Sequence, residues 1–246
     1  MFILDGHVHC GLSLPFTNIQ SRWQEANISG GVLFSPVEEI YNRFDQHFTD
    51  SPGYRESRDK VHTYLDSLVT ENIFIYWFVW NDFILPRNTF CGVKWHRHAS
   101  EPIYNYSVPQ CEAFISHVCE RQMPIILEEE LPHTMEFVSR IAGRTKVIIP
   151  HCGGLNGGYF TLKKAGLFEN PDIYVDTALA STREIRDFAG EYGVERIIFG
   201  SDFPFGEPAW ELAKVEKLFS NYDRKKVLAE NLLEILGKVR YSGNKG

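Results

Sequence analysis

The chain has 246 residues, 43% hydrophobic and 23% charged, a globular balance at a length that suits one eight-fold α/β barrel. A net charge of −7 argues against nucleic acid or an anionic membrane as the main partner and leaves a small-molecule substrate as the expectation. The longest strongly apolar stretch, residues 73–80, is too short to cross a bilayer.

The chain opens on an apolar run ending in Asp5-Gly6-His7-Val8-His9, without the basic leader or cleavage signature of a secretory signal. The five cysteines, Cys10, Cys91, Cys111, Cys119 and Cys152, show no Cys-x-x-Cys spacing and read as reduced thiols of a cytoplasmic protein. Strands are expected at residues 2–5, 31–34, 73–79, 92–95, 125–128, 146–149, 173–176 and 196–200. Their continuous Val/Ile/Phe runs fit strands covered on both faces. Helical patterns fall between them at about 58–70, 109–119, 131–142, 181–192 and 208–219. The clearest begins at Pro109 and carries Cys111, Phe114, Ile115, Val118 and Cys119 on one stripe. Eight strands with interposed helices give a single-domain (β/α)8 barrel over residues 1–246. An open doubly wound sheet is the alternative, but no Gly-rich dinucleotide turn follows the first strand. Two long connections, 36–55 and 97–108, follow strands and belong on the C-terminal rim, either as lids over a substrate or as plain surface loops. Oligomeric state stays open, a homo-oligomer included.

Alternate side chains of a strand share a face, so His7 and His9 are expected to point together, with Asp5. Glu128 closes the fifth strand, His151 the sixth and Asp202 the eighth. Each alone is an ordinary rim residue. Together they set nitrogen and oxygen ligands around one barrel mouth, the makings of a divalent-metal site. The expectation is that His7, His9, Glu128 and Asp202 converge on one metal with His151 beside it. Lys94 and His96 share the inward face of the fourth strand, opposite Val93 and Trp95. They could hold a substrate carboxylate or phosphate, or Lys94 could pair with Glu128. Arg55 and Arg97 are second-rank candidates for the same binding role.

These motifs resemble the amidohydrolase superfamily, and within it the amidohydrolase-related branch that also includes decarboxylases akin to aminocarboxymuconate-semialdehyde decarboxylase. Asp5-Gly6-His7-Val8-His9 is similar to the branch's first-strand motif, and Gly92-Val93-Lys94-Trp95-His96 to its fourth-strand segment. His151-Cys152-Gly153-Gly154, Gly200-Ser201-Asp202-Phe203-Pro204 and the tail Val227–Leu233 with Asn231 match in order. The resemblance implies a zinc or manganese ion, one or two, with water as nucleophile. It also implies Asp202 as proton acceptor and His151 as the group polarising a carbonyl or stabilising an oxyanion. Hydrolysis of an ester, lactone or amide is the first reading and decarboxylation the alternative. One departure stands out: the branch usually has histidine where this chain has Glu128. Glu128 could favour a harder metal or bridge two, Glu129 or Glu130 could face the mouth instead, or the metal site could be weakened. A TatD-like nuclease would need a Gly-Glu-(Ile/Val)-Gly-Leu-Asp fourth strand and a fifth-strand histidine. A PHP-type phosphoesterase would need Thr-Asp-His near the second strand. Neither motif is present. A metal-free ligand-binding barrel is the rival from another class.

Overall fold

Eight short apolar strands pair in parallel in sequence order, and helices fill the crossovers. The computed structural model describes residues 1–242; residues 243–246 of the expected domain lie outside them. The strands are β1 (Leu4–His9), β2 (Gly30–Phe34), β3 (Ile73–Phe78), β4 (Gly92–His96), β5 (Ile125–Glu128), β6 (Val147–Ile149), β7 (Ile173–Asp176) and β8 (Ile197–Ile198). The helices are α1 (Phe16–Glu25), α2 (Pro52–Asp66), α3 (Pro109–Glu120), α4 (Leu131–Ile141), α5 (Tyr159–Lys164), α6 (Thr182–Tyr192), α7 (Pro208–Leu218), α8 (Asn221–Lys225) and α9 (Asn231–Ser242). Between the first and last strands, Gly6 N–H donates to Phe199 O at 2.8 Å, Asp202 N–H to His7 O at 2.8 Å and His9 N–H to Phe203 O at 3.0 Å, closing the barrel. This is the (β/α)8 barrel expected from the sequence. No helix among the described residues is long and apolar enough to cross a membrane.

Period-two alternation divides the apolar side chains into two layers. Val93, Trp95, Leu127, Val175 and Phe199 pack outward against helical residues such as Phe114, Phe137 and Phe188. Val32, Phe34, Phe78, Ile126 and Ile148 form the inner cluster. Leu232, Ile235 and Leu236 of α9 join that inner cluster beside Leu4, at the end where the strands begin. Polar side chains replace apolar ones at the opposite end of the barrel interior, where the candidate site lies.

Three elements differ from their sequence reading. β1 extends to His9 instead of stopping at Asp5, and a register shift lies between Asp5 and Val8. The shift inverts the alternation, so Asp5 does not share the face of His7 and His9. Gly6 makes it feasible: a Cβ there would sit 2.6 Å from Ile198 Cγ2 and 3.0 Å from Phe199 O. Helix α1 was not foreseen, because among polar neighbours only Ile19 and Trp23 are buried. Helix α2 starts inside the connection expected as loop. Ser51 Oγ accepts from Tyr54 N at 3.4 Å and Pro52 occupies the first turn, a regular N-terminal signal.

The displaced Asp5 carboxylate binds three elements together. It accepts from Ser201 N at 2.8 Å, Ser201 Oγ at 2.5 Å, Trp23 Nε1 at 3.2 Å and His7 N at 3.3 Å, all of it buried. Asp5→Ala is therefore expected to cost about 1–3 kcal/mol for the buried donors left without an acceptor. A urea midpoint equal to that of the parent protein would show that these bonds contribute nothing net.

Candidate metal centre

Local backbone geometry brings five strand-end side chains to one place. His7 and His9 come from β1 beyond the register shift, and Glu128 is the last residue of β5. His151 and Cys152 follow β6 with φ of 56° and 49°, and Asp202 follows β8 with φ of 56°. Left-handed backbone at non-glycine residues costs on the order of 1–3 kcal/mol each and persists where the surroundings enforce it. Here the turn after β6 lets His151 N–H reach Asp176 Oδ1 at 2.9 Å while the ring turns inward.

The tautomers of the imidazoles follow from what stands behind them. His7 Nδ1 is 2.7 Å from Asp176 Oδ2, His151 Nδ1 is 2.9 Å from Ala178 O, and His9 Nδ1 is 3.4 Å from Ser35 O. Each of these oxygens only accepts, so each Nδ1 carries a proton and, in the neutral ring, each Nε2 presents its lone pair to the interior. Those lone pairs meet carboxylates. His7 Nε2 and His9 Nε2 both lie 3.2 Å from Asp202 Oδ1. His151 Nε2 is 3.7 Å from Glu128 Oε2 and 3.9 Å from Asp202 Oδ2. Asp202 Oδ1 is buried and has no hydrogen-bond donor. Lone pair facing lone pair at contact distance is repulsive, so a proton or a metal cation must stand between them.

The titration behaviour carries the same demand for positive charge. Burial opposes charge on His151, yet Glu128, Asp176 and Asp202 outweigh it and push the imidazolium pKa up to about 9. Burial would also raise Asp202, but His7 and His9 hold its carboxyl well below the usual range. Burial likewise opposes charge on Glu128, and the Lys94 ammonium reverses that to keep it ionised.

Lys94 and His96 take the inward face of β4, as alternation required, while Val93 and Trp95 pack outward. The Lys94 side chain is fully buried, with Nζ 2.8 Å from Glu128 Oε2 and 3.4 Å from His7 Nε2. Its partner is thus Glu128, one of the two partners that the sequence left open. His96 Nε2 lies 3.2 Å from Glu128 Oε1, and burial pulls its pKa down to about 4 against the pull of Glu128, so the ring is neutral. Glu129 and Glu130 do not face the mouth: Glu129 holds Arg97 and Tyr106, and Glu130 holds Arg97. Arg97 falls between His96 and His98 and so points the other way, into this buried ion pair. Arg55 sits on α2, largely exposed and paired with Asp50, beside a separate pocket lined by His62 and Trp77. Neither arginine borders the cavity of the site.

That cavity, of roughly 190 Å³, is bordered by His9, His96, His98, Glu128, His151 and Asp202, with Arg43 and Phe205 also at its wall. Asp176, His98 and Arg43 were not singled out from the sequence. Asp176 had a signal, a carboxylate closing β7 as Glu128 closes β5. So did His98, since His96-Arg97-His98 repeats the spacing of His7-Val8-His9. Arg43 had none: it reaches the mouth from the long connection after β2 and pairs with Glu101 at 2.5 Å and Glu38 at 3.3 Å.

The fold agrees with the comparisons. The chain belongs to the amidohydrolase family, whose model matches residues 96–238, more than half its length. It is thus an enzyme-superfamily member built on the family's barrel. No protein of curated function matches the sequence. Among solved structures, 2,6-dihydroxybenzoate decarboxylase from Rhizobium superposes with a TM-score of 0.71 at 13% identity, covering 96% of this chain and 99% of that one. A protein described as 2-pyrone-4,6-dicarboxylic acid hydrolase from Pseudomonas putida gives 0.68 at 15% identity, covering 96% and 98%. Dihydroxybenzoic acid decarboxylase from Polaromonas sp. JS666, with bound manganese and the inhibitor 2-nitroresorcinol, gives 0.67 at 16% identity, covering 100% and 99%. At such identities the likeness is one of fold.

Two consequences are measurable. Asp176→Asn removes the carboxylate behind His7 and should weaken divalent-metal affinity about 10–100-fold, read by titration with a competing chelator; undiminished affinity would mean that Asp176 does not orient the ring. Lys94→Ala strands the buried Glu128 and should lower stability by about 3–5 kcal/mol in a urea melt. An unchanged melt, with a raised KM on a true substrate, would return Lys94 to the substrate.

Proposed function

We propose that this protein is a metal-dependent hydrolase that cleaves an ester, lactone or amide bond in a small anionic substrate. One observation carries the reading: the Nε2 atoms of His7 and His9 each stand 3.2 Å from one Asp202 oxygen that has no hydrogen-bond donor. Tetrahedral ligands at about 2.0–2.1 Å from a metal are separated by about 3.3 Å, so this triad fits a divalent ion in size and in donor type. Glu128 and His151, each with a ligand atom within 4.8 Å of one on His7, border it. A zinc or manganese ion held there would supply Lewis-acid activation of water near neutral pH. The mixed imidazole and carboxylate donors suit either metal.

The chain's own groups account for the remaining chemistry. Asp202 engages His7 and His9 through Oδ1 and keeps Oδ2 toward the cavity, where it takes the proton of the attacking water. The water oxygen bonds to the carbonyl carbon, the carbon–oxygen or carbon–nitrogen bond breaks, and the proton leaves Asp202 for the departing atom. His151 is fixed by its backbone N–H on the Asp176 carboxylate and its Nδ1 on Ala178 O, and stands beside the carbonyl oxygen as it gains charge. Arg43 borders the cavity, which supports it over Arg55 and Arg97 as the guanidinium that meets a substrate carboxylate. Val37, Leu155, Leu179 and Phe205 give the rest of the wall an apolar character suited to a ring.

A second reading is decarboxylation. Its support lies in the dihydroxybenzoate decarboxylases among the similar folds, with Asp202 then delivering a proton to the ring carbon that loses carbon dioxide. One assay separates the two: lactones, esters, amides and hydroxylated benzoates are incubated with manganese-loaded protein in ¹⁸O-labelled water. Label in the acid product supports hydrolysis; release of carbon dioxide without label in the ring product overturns it for decarboxylation. Under either chemistry Asp202→Asn should lower turnover on the order of a hundred-fold or more, because an amide cannot relay the proton. Near-parental turnover with metal content confirmed would remove Asp202 from that role.

A further inference from the structure

The cavity at the barrel mouth continues past His9 into a second lobe of roughly 250 Å³, and His9, Val37, Arg43 and Phe205 border both. Leu14 after β1, Pro36 after β2 and Pro204 after β8 complete most of the second wall. Its polar groups are already engaged. Ser13 Oγ donates to Glu39 Oε1, Glu38 lies 3.3 Å from Arg43 Nη1, and Arg43 Nη2 reaches Glu101 at 2.5 Å. The lobe therefore presents mainly apolar surface. Its walls are also fixed in place. The buried Glu39 carboxylate accepts from Leu12 N at 3.0 Å and Ser13 N at 2.8 Å, which ties the loop after β1 to the loop after β2. The two loops pack so closely that a Cβ on Gly11 would sit 2.6 Å from Glu39 Oε1 and 2.7 Å from Pro36 Cδ. On the far side, Phe205 N–H donates to Asp202 O at 2.8 Å, and its ring stands edge-on to His9 with centroids 5.5 Å apart. Phe205 is nevertheless 62% exposed. An aromatic ring held open beside an apolar hollow is the pattern of a ligand groove.

We propose that this second lobe holds an apolar alkyl or aryl arm of the substrate, while the reacting group lies between His9, His151 and Asp202 and the carboxylate meets Arg43 at the junction. The substrate is then an anionic compound with a hydrophobic substituent, and Leu14 and Phe205 select for that substituent. Size supports a two-lobed occupant. The first cavity alone, roughly 190 Å³, falls below the ~300 Å³ at which small-ligand sites begin, and the two lobes together fall within that range. Chemistry supports the direction of the arm. Metal-ligating and titratable groups line the first cavity, whereas Leu14, Pro36 and Pro204 border the second alone. The proposal rests on the proposed function only for which end of the substrate reacts.

The test is the affinity of straight-chain carboxylates from butyrate to octanoate, measured by isothermal titration calorimetry on the full-length protein, both chelator-stripped and manganese-loaded. Each added methylene that enters the lobe should tighten binding about 3–4-fold. Leu14→Trp fills the lobe and should flatten the series, bringing octanoate close to butyrate. Leu14→Ser only truncates the wall and should weaken octanoate several-fold against butyrate; it decides the matter where the larger ring disturbs the fold. Ile84→Trp, in the separate pocket beside Arg55, is the control and should keep the rise. Thermal melts matching the parent's confirm that a flattened series is not lost fold. A parent series without a rise, a rise that survives both Leu14 variants, or one that Ile84→Trp also removes would overturn the proposal, as would no binding of any member. The slope along the series reports the lobe, and the offset between stripped and loaded protein reports the metal. A missing slope and a missing offset are therefore separate failures, the first of this proposal and the second of the metal-dependent reading.

Discussion

Acceptor-only oxygens behind the inward-facing imidazoles govern this molecule's chemistry. Asp176 does this most directly, because one carboxylate fixes the proton on His7 and also receives the backbone N–H of His151. In the neutral rings of His7, His9 and His151 the Nε2 is the acceptor for that reason, and the site is left with a surplus of electron pairs that only cations can balance. Lys94 meets part of that demand through Glu128. The rest falls on protons or on metal ions, and these compete for the same lone pairs.

The architecture that holds those oxygens depends on the seam between the first and last strands. A regular β1 would have put Asp5 on the same face as His7 and His9. The shift at Gly6 reverses this and releases Asp5 to bind Trp23 of α1 and Ser201 after β8. The seam's hydrogen bonds then set Asp202, whose N–H donates to His7 O, directly against the β1 histidines. Local departures from regularity, at Gly6, His151 and Asp202, are concentrated where the donors must converge. They are tolerable because the two apolar layers on either side of the strands supply the folding energy elsewhere.

Much of this was legible in the sequence. Continuous apolar runs of four to seven residues gave the barrel, and titratable residues closing those runs marked its mouth, because a strand's last inward position is where burial gives way to chemistry. Alternation correctly separated Lys94 and His96 from Val93 and Trp95. It failed for Asp5, since a register shift leaves no mark beyond a glycine. It was not applied to Arg97, which the same rule would have sent outward. His98 was hidden by lying past the end of β4, although it keeps the spacing of the first histidine pair. Arg43 could not have been found: its place depends on how the 36–55 connection folds over the rim, and α2 begins inside that connection at a capping serine. Whether Lys94 paired with Glu128 or with a substrate was a question of distance, which spacing along a chain does not encode.

Glu128 shows why a carboxylate is compatible with this mouth where a family relative would carry imidazole. A neutral ring at that position would leave Lys94 buried without a counter-charge, a costly arrangement. The carboxylate neutralises Lys94 through Oε2 and still has Oε1 for His96 and His98. The fourth-strand lysine, the fifth-strand glutamate and the second histidine pair therefore form one electrostatic unit. Replacing Glu128 by histidine alone would remove the charge that Lys94 needs and the oxygen that both rings share. The departure from the family pattern at Glu128 is thus coupled to what surrounds it, and a histidine there would require Lys94 to change as well.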